Sequence, residues 1–242
     1  MIKFPKTPRF KDIKQDIYKD WKILDAVISE KIDGANTGIF FDKNKGMLLQ
    51  SRGHILRGGS SETQFSHFHP WAWAKESSLK KALGYKYLLY GEYCLAKHRA
   101  FYDNLPDIFI GFDILDIDSN QFLNTKLKNP ILTAAGIVNV PVLWSGKFKK
   151  AENFNSYIGP SKFKTNKWRD ALKKEVDIVG RNYQDVIKET DDSDLMEGIY
   201  IRIEDEEKVV ARIKLHREEF EKVRNDDWRI NDIIKNVVKG SK

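Results

Sequence analysis

A lysine beside an aspartate–glycine pair is the first feature of this 242-residue sequence that could do chemistry. Lys31 follows an apolar run in the stretch ISEKIDGANTGIF, and Asp33 and Gly34 complete a K-x-D-G pattern. A strand end next to a turn holds a lysine in one place, and an amine held there is a candidate nucleophile. The alternative is an ordinary lysine that closes a strand.

Further charged and aromatic residues with suitable chemistry follow in order along the chain. Glutamates can accept hydrogen bonds from ribose hydroxyls, or hold magnesium directly or through its waters. An aromatic ring can stack on a purine. The residues are Arg52 in SRG, Glu92 in LYGEYC, Phe112 and Asp113 in FIGFDILD, Glu197 in MEGIYIR, and Arg212 and Lys214 in VARIKLHR.

The spacing of the last two cations predicts that they act together. Side chains two apart in a strand share a face, so Arg212 and Lys214 point one way while Ile213 points to the core. An amine is a nucleophile only when neutral, so for this role the pKa of Lys31 must fall from the usual ~10.4. We expect nearby cations, among them Arg52, Arg212, Lys214 and a bound metal ion, to lower it.

Each of these residues also fits a plainer role. Glu92 and Glu197 can be solvated residues at strand edges, and Phe112 can belong to the core. Only the ordered set, with several matching parts after Lys31, favours a catalytic interpretation.

This ordered set resembles the nucleotide-pocket motifs of ATP-dependent ligases and messenger-RNA capping enzymes, the covalent nucleotidyltransferase superfamily. The stretch EKIDGAN, with Asn36, is most similar to the RNA ligase 2 branch of ATP-dependent RNA ligases. The resemblance implies an α+β fold, an ATP-grasp-like nucleotidyltransferase domain of mainly antiparallel sheets flanked by helices. It implies nucleotide binding by Glu30, Ile32, Asp33, Gly34, Asn36, Arg52, Glu92, Phe112, Glu197, Arg212 and Lys214.

The resemblance also implies an activity, with ATP and Mg²⁺ as cofactors and Glu92 and Glu197 as metal ligands. Lys31, assisted by Lys214, would form a lysyl-adenylate. The AMP would then pass to a 5′-phosphate end, and a 3′-hydroxyl would attack that end and join the two strands. The expected partner is RNA with 5′-phosphate and 3′-hydroxyl ends, or a nick that contains DNA. Three alternatives stay open: a DNA-nick ligase, a guanylyltransferase, and a non-catalytic RNA-binding module.

The sequence departs from the family pattern in two places. Arg212 stands where this branch commonly has a lysine, and arginine grips phosphate as a fork rather than a point charge. We therefore expect Lys214 rather than Arg212 at the α-phosphate. The residues after Lys214 are too few for an oligonucleotide-binding barrel, so we expect none in this chain, and a partner protein is one possible replacement for a C-terminal domain.

The pattern of the remaining chain predicts one nucleotidyltransferase domain over residues 1–242 with a short helical C-terminal tail. Short β-rich runs recur, and helical patterns fall between them irregularly, which favours α+β with mainly antiparallel sheets. The stretch KETDDSDLMEG is predicted to be an acidic, mobile loop. Helices are expected over FKDIKQDIYKDW, HPWAWAKESSLKKALG, NPILTAAGI, SKFKTNKWRDALKKEVDIVG and YQDVIKE.

Basic residues concentrate in one region, which suggests a polyanionic partner. The net charge of the chain is +7 with a pI of about 9.2. From Lys147 to Lys174 nine basic residues outnumber two acidic ones and alternate with five aromatic rings. Either bases stack on these rings and phosphates bind the charges, or the rings pack inward behind a solvated surface. The candidate nucleic-acid residues are Lys97, Arg99, Lys162, Lys164 and Lys167.

Cysteine content and hydropathy indicate the cellular compartment in which we expect the protein. A single cysteine, Cys94, excludes an internal disulfide framework and a cysteine-rich zinc site. The N-terminal stretch MIKFPKTPRFKDIKQ has no apolar core of a secretory signal, and no run is long enough to span a membrane. We expect a cytoplasmic protein with no membrane partner.

Overall fold

Two antiparallel sheets carry the site. The computed structural model describes residues 1–13, 21–148, 153–223 and 233–240. Ten strands occur in these ranges: β1 Asp25–Lys31, β2 Ala35–Asp42, β3 Gly46–Ser51, β4 Tyr87–Tyr93, β5 Phe109–Asp116, β6 Gln121–Phe122, β7 Val138–Asn139, β8 Val142–Lys147, β9 Gly198–Glu204 and β10 Val209–His216.

The first sheet has four strands in the order β10-β9-β1-β8, all antiparallel. The alternating residues Ile28, Ile201 and Ile213 are fully buried and pack together with Trp21 and Phe148. The opposite residues of β10 are the cations of its sequence pattern. Alternation in β10 therefore fixes which face carries Lys214.

The second sheet has the order β3-β2-β4-β5-β6, and β7 adds a parallel edge beside β5. Apolar residues such as Ile39, Leu89 and Ile114 form its main core with aromatic residues from the flanking helices. Apart from β7, every named pairing in this sheet is antiparallel. The α+β prediction with mainly antiparallel sheets is confirmed, and the described strands form no closed barrel.

Six α-helices flank the sheets in the described ranges: α1 Phe68–Ala74, α2 Glu76–Leu83, α3 Thr125–Ala135, α4 Trp168–Ile178, α5 Tyr183–Lys188 and α6 Glu218–Lys222. The predicted helix SKFKTNKWRDALKKEVDIVG is shorter than expected, because residues before Trp168 form turns. Of FKDIKQDIYKDW, Phe10–Asp12 forms a 3-10 helix and Trp21 is helical, while residues 14–20 lie outside the described part. No helix among the described residues is both long and apolar enough to cross a membrane.

A buried polar network joins the two sheets. Arg202 of β9 donates to the carbonyl of Phe112 at 2.7 Å and to Asp113 of β5 at 3.2 Å. Tyr200 donates its hydroxyl to the other oxygen of Asp113 at 3.0 Å. Lys128 of α3 donates to the same Phe112 carbonyl at 2.9 Å. Because buried charges are tolerated only when paired, this network fixes the backbone of Phe112 between the sheets.

Candidate active site

The amine of Lys31 is held by Glu197 across two neighbouring strands. Lys31 ends β1 and pairs with Gly198 of β9, so Glu197 lies one residue before that pairing. The Nζ atom of Lys31 lies 2.8 Å from Oε1 and 3.0 Å from Oε2 of Glu197. The side chain of Glu197 is 6% exposed and that of Lys31 is 24% exposed. The lysine is therefore held still, as its position in the sequence suggested.

Gly198 permits the close approach of β9 to β10 at this point. A Cβ atom on Gly198 would lie 2.1 Å from the carbonyl oxygen of Leu215, which no real Cβ can do. The glycine thus lets β10 pass beside Glu197. As a result, Lys214 and His216 of β10 come within electrostatic range of Lys31.

Asp33 holds the K-x-D-G loop in place through hydrogen bonds to the loop that follows β4. Its Oδ2 atom accepts hydrogen bonds from the amides of Arg99 at 2.7 Å and Ala100 at 2.8 Å. Its own amide donates to the Tyr102 hydroxyl at 2.9 Å. Three hydrogen bonds therefore tie the residue two positions after Lys31 to the loop that follows β4.

Gly34 brings the same loop against Glu92. A Cβ atom on Gly34 would lie 2.6 Å from the Tyr93 carbonyl oxygen and 3.0 Å from Cγ of Glu92. Asn36 of β2 pairs with Glu92 of β4, so the two share a face of the second sheet. Glu92 thus reaches the site from the second sheet, while Glu197 reaches it from the first.

Glu92 and Glu197 are buried carboxyl groups that both interact with the amine of Lys31. Burial raises the pKa of Glu92 to about 7, against the opposing charge of Lys31 and with a further rise from Asp33. Burial likewise raises the pKa of Glu197 to about 8, again opposed by Lys31. Protons or another cation are therefore favoured beside these carboxylates in the free protein.

The structure corrects the expected environment of Lys31. Cations were expected to lower its pKa; burial does act in that direction, but the carboxylates of Glu197, Glu92 and Asp33 together raise the pKa of Lys31. The amine is protonated and paired in this state. A change in the charge around it is needed before it can act as a nucleophile.

Arg212 and Lys214 lie on one face of β10, as predicted, but their side chains interact with different groups. Burial lowers the pKa of Lys214, and the charges of Lys31 and Arg52 lower it further. Arg212 instead stacks over the Phe122 ring at 3.7 Å and approaches Asp113 at 3.7 Å. Lys214 is therefore the cation of this pair that borders the amine, whereas Arg212 packs against aromatic rings and the buried network.

Other candidate residues surround this centre. Phe112 is half-buried, with its ring 5.4 Å from that of Phe4 and 6.1 Å from that of Tyr200. Arg52 follows β3, is exposed, and its charge acts on Glu92 and Lys214. Arg52 is therefore open to solvent, whereas the ring of Phe112 packs against its aromatic neighbours.

Glu30 and Ile32 point away from the amine into the protein. Glu30 accepts from the Ser161 hydroxyl at 2.6 Å and the Lys162 amide at 3.0 Å, and burial raises its pKa. Ile32 is 4% exposed and packs with Tyr102 and other core residues. Their side chains position the strand end, so a nucleotide contact would have to use their backbone.

The structure corrects the expected surface role of Lys97 and Lys164. Lys97 is 8% exposed and donates to the carbonyls of His98 at 2.8 Å and Glu189 at 3.3 Å. The side chain of Lys164 is 1% exposed and donates to the Ser193 carbonyl at 2.7 Å. By contrast, Lys162 and Lys167 are exposed and Arg99 is half-buried.

The aromatic rings of the basic region pack inward. Phe148, Phe154, Phe163 and Trp168 are at most 4% exposed, and Tyr157 packs against the core of the first sheet. The alternative in which bases stack on these rings is therefore wrong. The exposed lysines remain as a charged surface without a stacking platform.

The acidic stretch predicted to be mobile is instead an organised loop. Asp191 is 4% exposed and accepts from Arg217 at 2.7 Å. Asp194 accepts from the Trp168 indole at 2.7 Å, and Asp192 accepts from Arg169 at 2.7 Å. Charges of the basic region thus find their partners in this loop, which neither segment reveals alone.

His216 is a site residue that the sequence analysis missed. Its Nε2 lies 3.3 Å from Oε1 of Glu197, and its Nδ1 lies 3.0 Å from Oε1 of Glu221. Burial, together with the charge of Lys31, lowers the pKa of His216 to about 4. Its position two residues after Lys214, on the same face of β10, was the available signal.

A cavity of about 510 Å³ opens beside this face of β10. Its lining includes Arg9, Lys11, Lys214 and His216, together with glutamates of α6. Among the described residues, no group of three or more histidine, cysteine or acidic side chains is arranged to hold a metal. Any divalent ion would therefore depend on two carboxylates with water or substrate oxygens.

The fold and site define a class of protein. The RNA ligase family model matches residues 24–216, which is most of the chain, and the chain belongs to this family. A search of curated proteins by sequence gives no match.

Solved structures of an RNA ligase from Naegleria gruberi share the fold. A lysine-to-methionine variant with AMP and Mn is 17% identical with a TM-score of 0.61, over 91% of this chain and 58% of that one. The ligase with PPi is 17% identical with a TM-score of 0.59, over 90% of this chain and 57% of that one. The chain therefore spans less than two thirds of the length of these ligases.

Proposed function

We propose that this chain is an ATP-dependent RNA ligase that acts through a lysyl-adenylate on Lys31. The observation that carries the proposal is the pair of Lys31 and Glu197, joined at 2.8 Å, with Glu92 and Lys214 within electrostatic range. Membership in the RNA ligase family, over residues 24–216, supports the same activity. The Naegleria structures with AMP or ATP and Mn support adenine nucleotide and a divalent ion as ligands.

In the proposed first step, the amine of Lys31 attacks the α-phosphorus of ATP. A nitrogen–phosphorus bond forms, the bond to the bridging oxygen breaks, and pyrophosphate leaves with its electron pair. Lys214 neutralises charge on the α-phosphate as it develops. Lys31 must first lose a proton to water, and the raised pKa of the amine means that the paired state opposes this loss.

The carboxylates of Glu92 and Glu197 fit a magnesium ion. Burial raises the pKa of both groups, and both act electrostatically on Lys31, so the two carboxyl groups lie at the same site. Mg²⁺ commonly binds one or two carboxylates and completes its shell with water and phosphate oxygens. When bound, the ion would supply positive charge that stabilises phosphate anions and favours the neutral amine.

The remaining site residues position the reactants. We assign base stacking to Phe112, whose backbone the buried network fixes, and phosphate or ribose contacts to Arg52 and Asn36. Asp33 and Gly34 hold the loop of Lys31 in place. This division matches the general rule that phosphoryl transfer depends chiefly on positioning and charge neutralisation.

In the second and third steps, the adenylate passes to an RNA 5′-phosphate, and a 3′-hydroxyl then attacks that phosphorus with release of AMP. Exposed Lys162 and Lys167 provide positive charge for the RNA backbone. We also propose that residues 1–242 act as one domain in the cytoplasm, and that a partner protein assists nick binding. The single cysteine, buried Cys94, is consistent with a reducing compartment.

One experiment tests the activity and its alternatives. The protein is incubated with Mg²⁺ and each of four α-labelled nucleotides, then chased onto 5′-phosphorylated RNA and DNA nicks. We expect label from ATP on the wild type, none on Lys31→Ala, and transfer to RNA ends. Labelling by GTP would indicate a guanylyltransferase, and preferred sealing of DNA would indicate a DNA ligase. RNA binding without any labelling would overturn the proposal in favour of a binding module.

A further inference from the structure

A short segment near the C-terminus packs behind the loop of Lys31. We call residues 233–240 the clasp segment. Lys235 forms an antiparallel bridge with Ala96, and Val238 forms a parallel bridge with Leu105. The clasp segment thus lies against both ends of the loop 94–105, which follows β4.

Backbone hydrogen bonds make this contact continuous. The Lys97 amide donates to the Ile234 carbonyl at 2.9 Å, and the Leu105 amide donates to the Val237 carbonyl at 3.1 Å. In the other direction, the Lys239 amide donates to the Leu105 carbonyl at 2.7 Å. The clasp segment therefore fixes the loop 94–105 through main-chain bonds as well as packing.

Asn236 is the one side chain of the described clasp segment that bonds both ends of this loop. It is 3% exposed, and its amide nitrogen donates to the Cys94 carbonyl at 2.7 Å. Its Oδ1 accepts from the Tyr102 amide at 2.8 Å. A buried amide with both groups paired specifies one geometry, because breaking either bond leaves a buried polar atom without a partner.

Both partners of Asn236 touch the K-x-D-G stretch. The hydroxyl of Tyr102 accepts from the Asp33 amide at 2.9 Å. At Gly34, an added Cβ would lie 3.3 Å from Sγ of Cys94, so these two residues are in contact distance. A chain of direct contacts therefore leads from Asn236 to the residues that follow Lys31.

We infer that Asn236 is a positioning residue for the nucleophile, which it aligns through Tyr102 and Asp33 without contact to substrate. This inference rests on the proposed function, in which Lys31 attacks ATP. Displacement of a reacting group by about 1 Å can cost on the order of 100-fold in rate. Sealing of RNA that already carries a 5′-adenylate does not require attack by Lys31, so it depends less on this alignment.

The test compares Asn236→Leu, which keeps the side-chain volume but makes neither bond, with Tyr102→Phe, which removes only the hydroxyl. Lys239→Ala is the matched control, because this exposed side chain leaves the backbone bonds of the clasp segment intact. Self-adenylation at saturating ATP and sealing of pre-adenylylated RNA are measured for each variant. Hydrogen exchange at the amides of Asp33 and Arg99 is measured in the absence of nucleotide.

We expect adenylation to slow by about 10- to 100-fold in Asn236→Leu and Tyr102→Phe, with a KM for ATP and a sealing rate close to wild type. The amides of Asp33 and Arg99 should exchange faster in Asn236→Leu, and Lys239→Ala should match wild type. Equal loss of adenylation and sealing, or unchanged exchange at both amides, would overturn the inference. If Asn236→Leu does not fold, unchanged adenylation in Tyr102→Phe rejects it.

The exchange measurement also separates this inference from the proposed function. Wild-type protein that takes no label from ATP would refute the function. Faster exchange at Asp33 in Asn236→Leu would then still support the link from the clasp segment to the loop, and unchanged exchange would reject it.

Discussion

The carboxylate of Glu197 and the amine of Lys31 lie 2.8 Å apart, where β1 ends and the antiparallel strand β9 is about to begin. This contact gives the candidate nucleophile a resting state, because a protonated amine cannot attack phosphorus. The carboxylate of Glu197 must also separate from Lys31 before it can bind a metal ion. The chemistry of the site therefore begins with the separation of this pair.

Replacing Glu197 by glutamine should lower the pKa of Lys31. In the wild type the carboxylate stabilises the ammonium form and raises this pKa, so its removal favours the neutral amine at lower pH. The measurement is the pH dependence of modification of Lys31 by an amine-specific reagent, followed by mass spectrometry without nucleotide or metal. Exposed Lys45 serves as internal control. A midpoint for Lys31 that stays in place or rises would contradict this assignment.

Magnesium should stabilise the protein more strongly at pH 8.5 than at pH 6. The pKa of Glu92 is raised to about 7 and that of Glu197 to about 8, so both bind protons in the folded state well above the usual range. Their protonated forms compete with the ion at pH 6, and this competition fades as pH rises through these values. The rise in Tm caused by Mg²⁺ is the measurement.

The matched control for the magnesium effect is Glu76→Gln, on an exposed residue of α2. It should keep the pH-dependent rise in Tm, whereas Glu92→Gln should reduce it. Equal stabilisation at both pH values in the wild type would show that these carboxyl groups do not bind the ion.

Substitution of exposed lysines in the basic region should affect RNA sealing, whereas substitution of a buried lysine should affect stability. Lys162→Ala with Lys167→Ala should weaken nick sealing at physiological salt while self-adenylation stays near wild type, because both side chains are exposed. Lys164→Ala should instead lower the free energy of unfolding by roughly 1–3 kcal/mol, since it removes a buried donor from the Ser193 carbonyl. Sealing rates and denaturant unfolding distinguish these outcomes, and a stable Lys164→Ala variant with selective loss of sealing would reverse the assignment.

Gly198→Ala should damage both stability and adenylation. The added methyl group would lie 2.1 Å from the Leu215 carbonyl, so β9 and β10 must separate at a cost of roughly 1–3 kcal/mol or more. Gly159→Ala is the control, because no atom of the described residues, apart from its chain neighbours, lies within 4 Å of its added Cβ. Thermal unfolding and labelling by ATP are the measurements. A Gly198→Ala variant with wild-type Tm would show that the strands tolerate the wider spacing.

Local patterns were sufficient to predict much of the site. The alternation of β10 placed Arg212 and Lys214 on one face, and the K-x-D-G motif located a lysine that the fold holds still. The β-rich runs correspond to the eight longest strands in the structure, with ends shifted by one or a few residues. These runs are ILDAVIS, TGIFFD, MLLQSR, KYLLYGEYC, DIFIGFDILD, VPVLWSG, EGIYIRIE and KVVARIKL. Periodicity and strand ends are short-range properties, and the sequence carries them directly.

Long-range contacts account for what the sequence did not reveal. From the sequence, both Lys164 and the loop 189–194 are expected to be exposed to solvent. In the structure this loop covers Lys164 and accepts its hydrogen bonds. The charge around Lys31 depends on Glu92 and Glu197 from different sheets, so its sign could not be read from neighbouring residues. Such pairings depend on the tertiary arrangement of segments that are each unremarkable in composition.

The separation of Lys31 and Glu197 along the chain has a consequence for biosynthesis. The two residues are 166 positions apart and meet only through the pairing of β1 with β9. A nascent chain on the ribosome therefore exposes the reactive amine long before its partner has been translated. The pair can form only when β9 inserts beside β1. The ability of Lys31 to take label from ATP would therefore appear when this sheet is complete, not when the lysine is first synthesised.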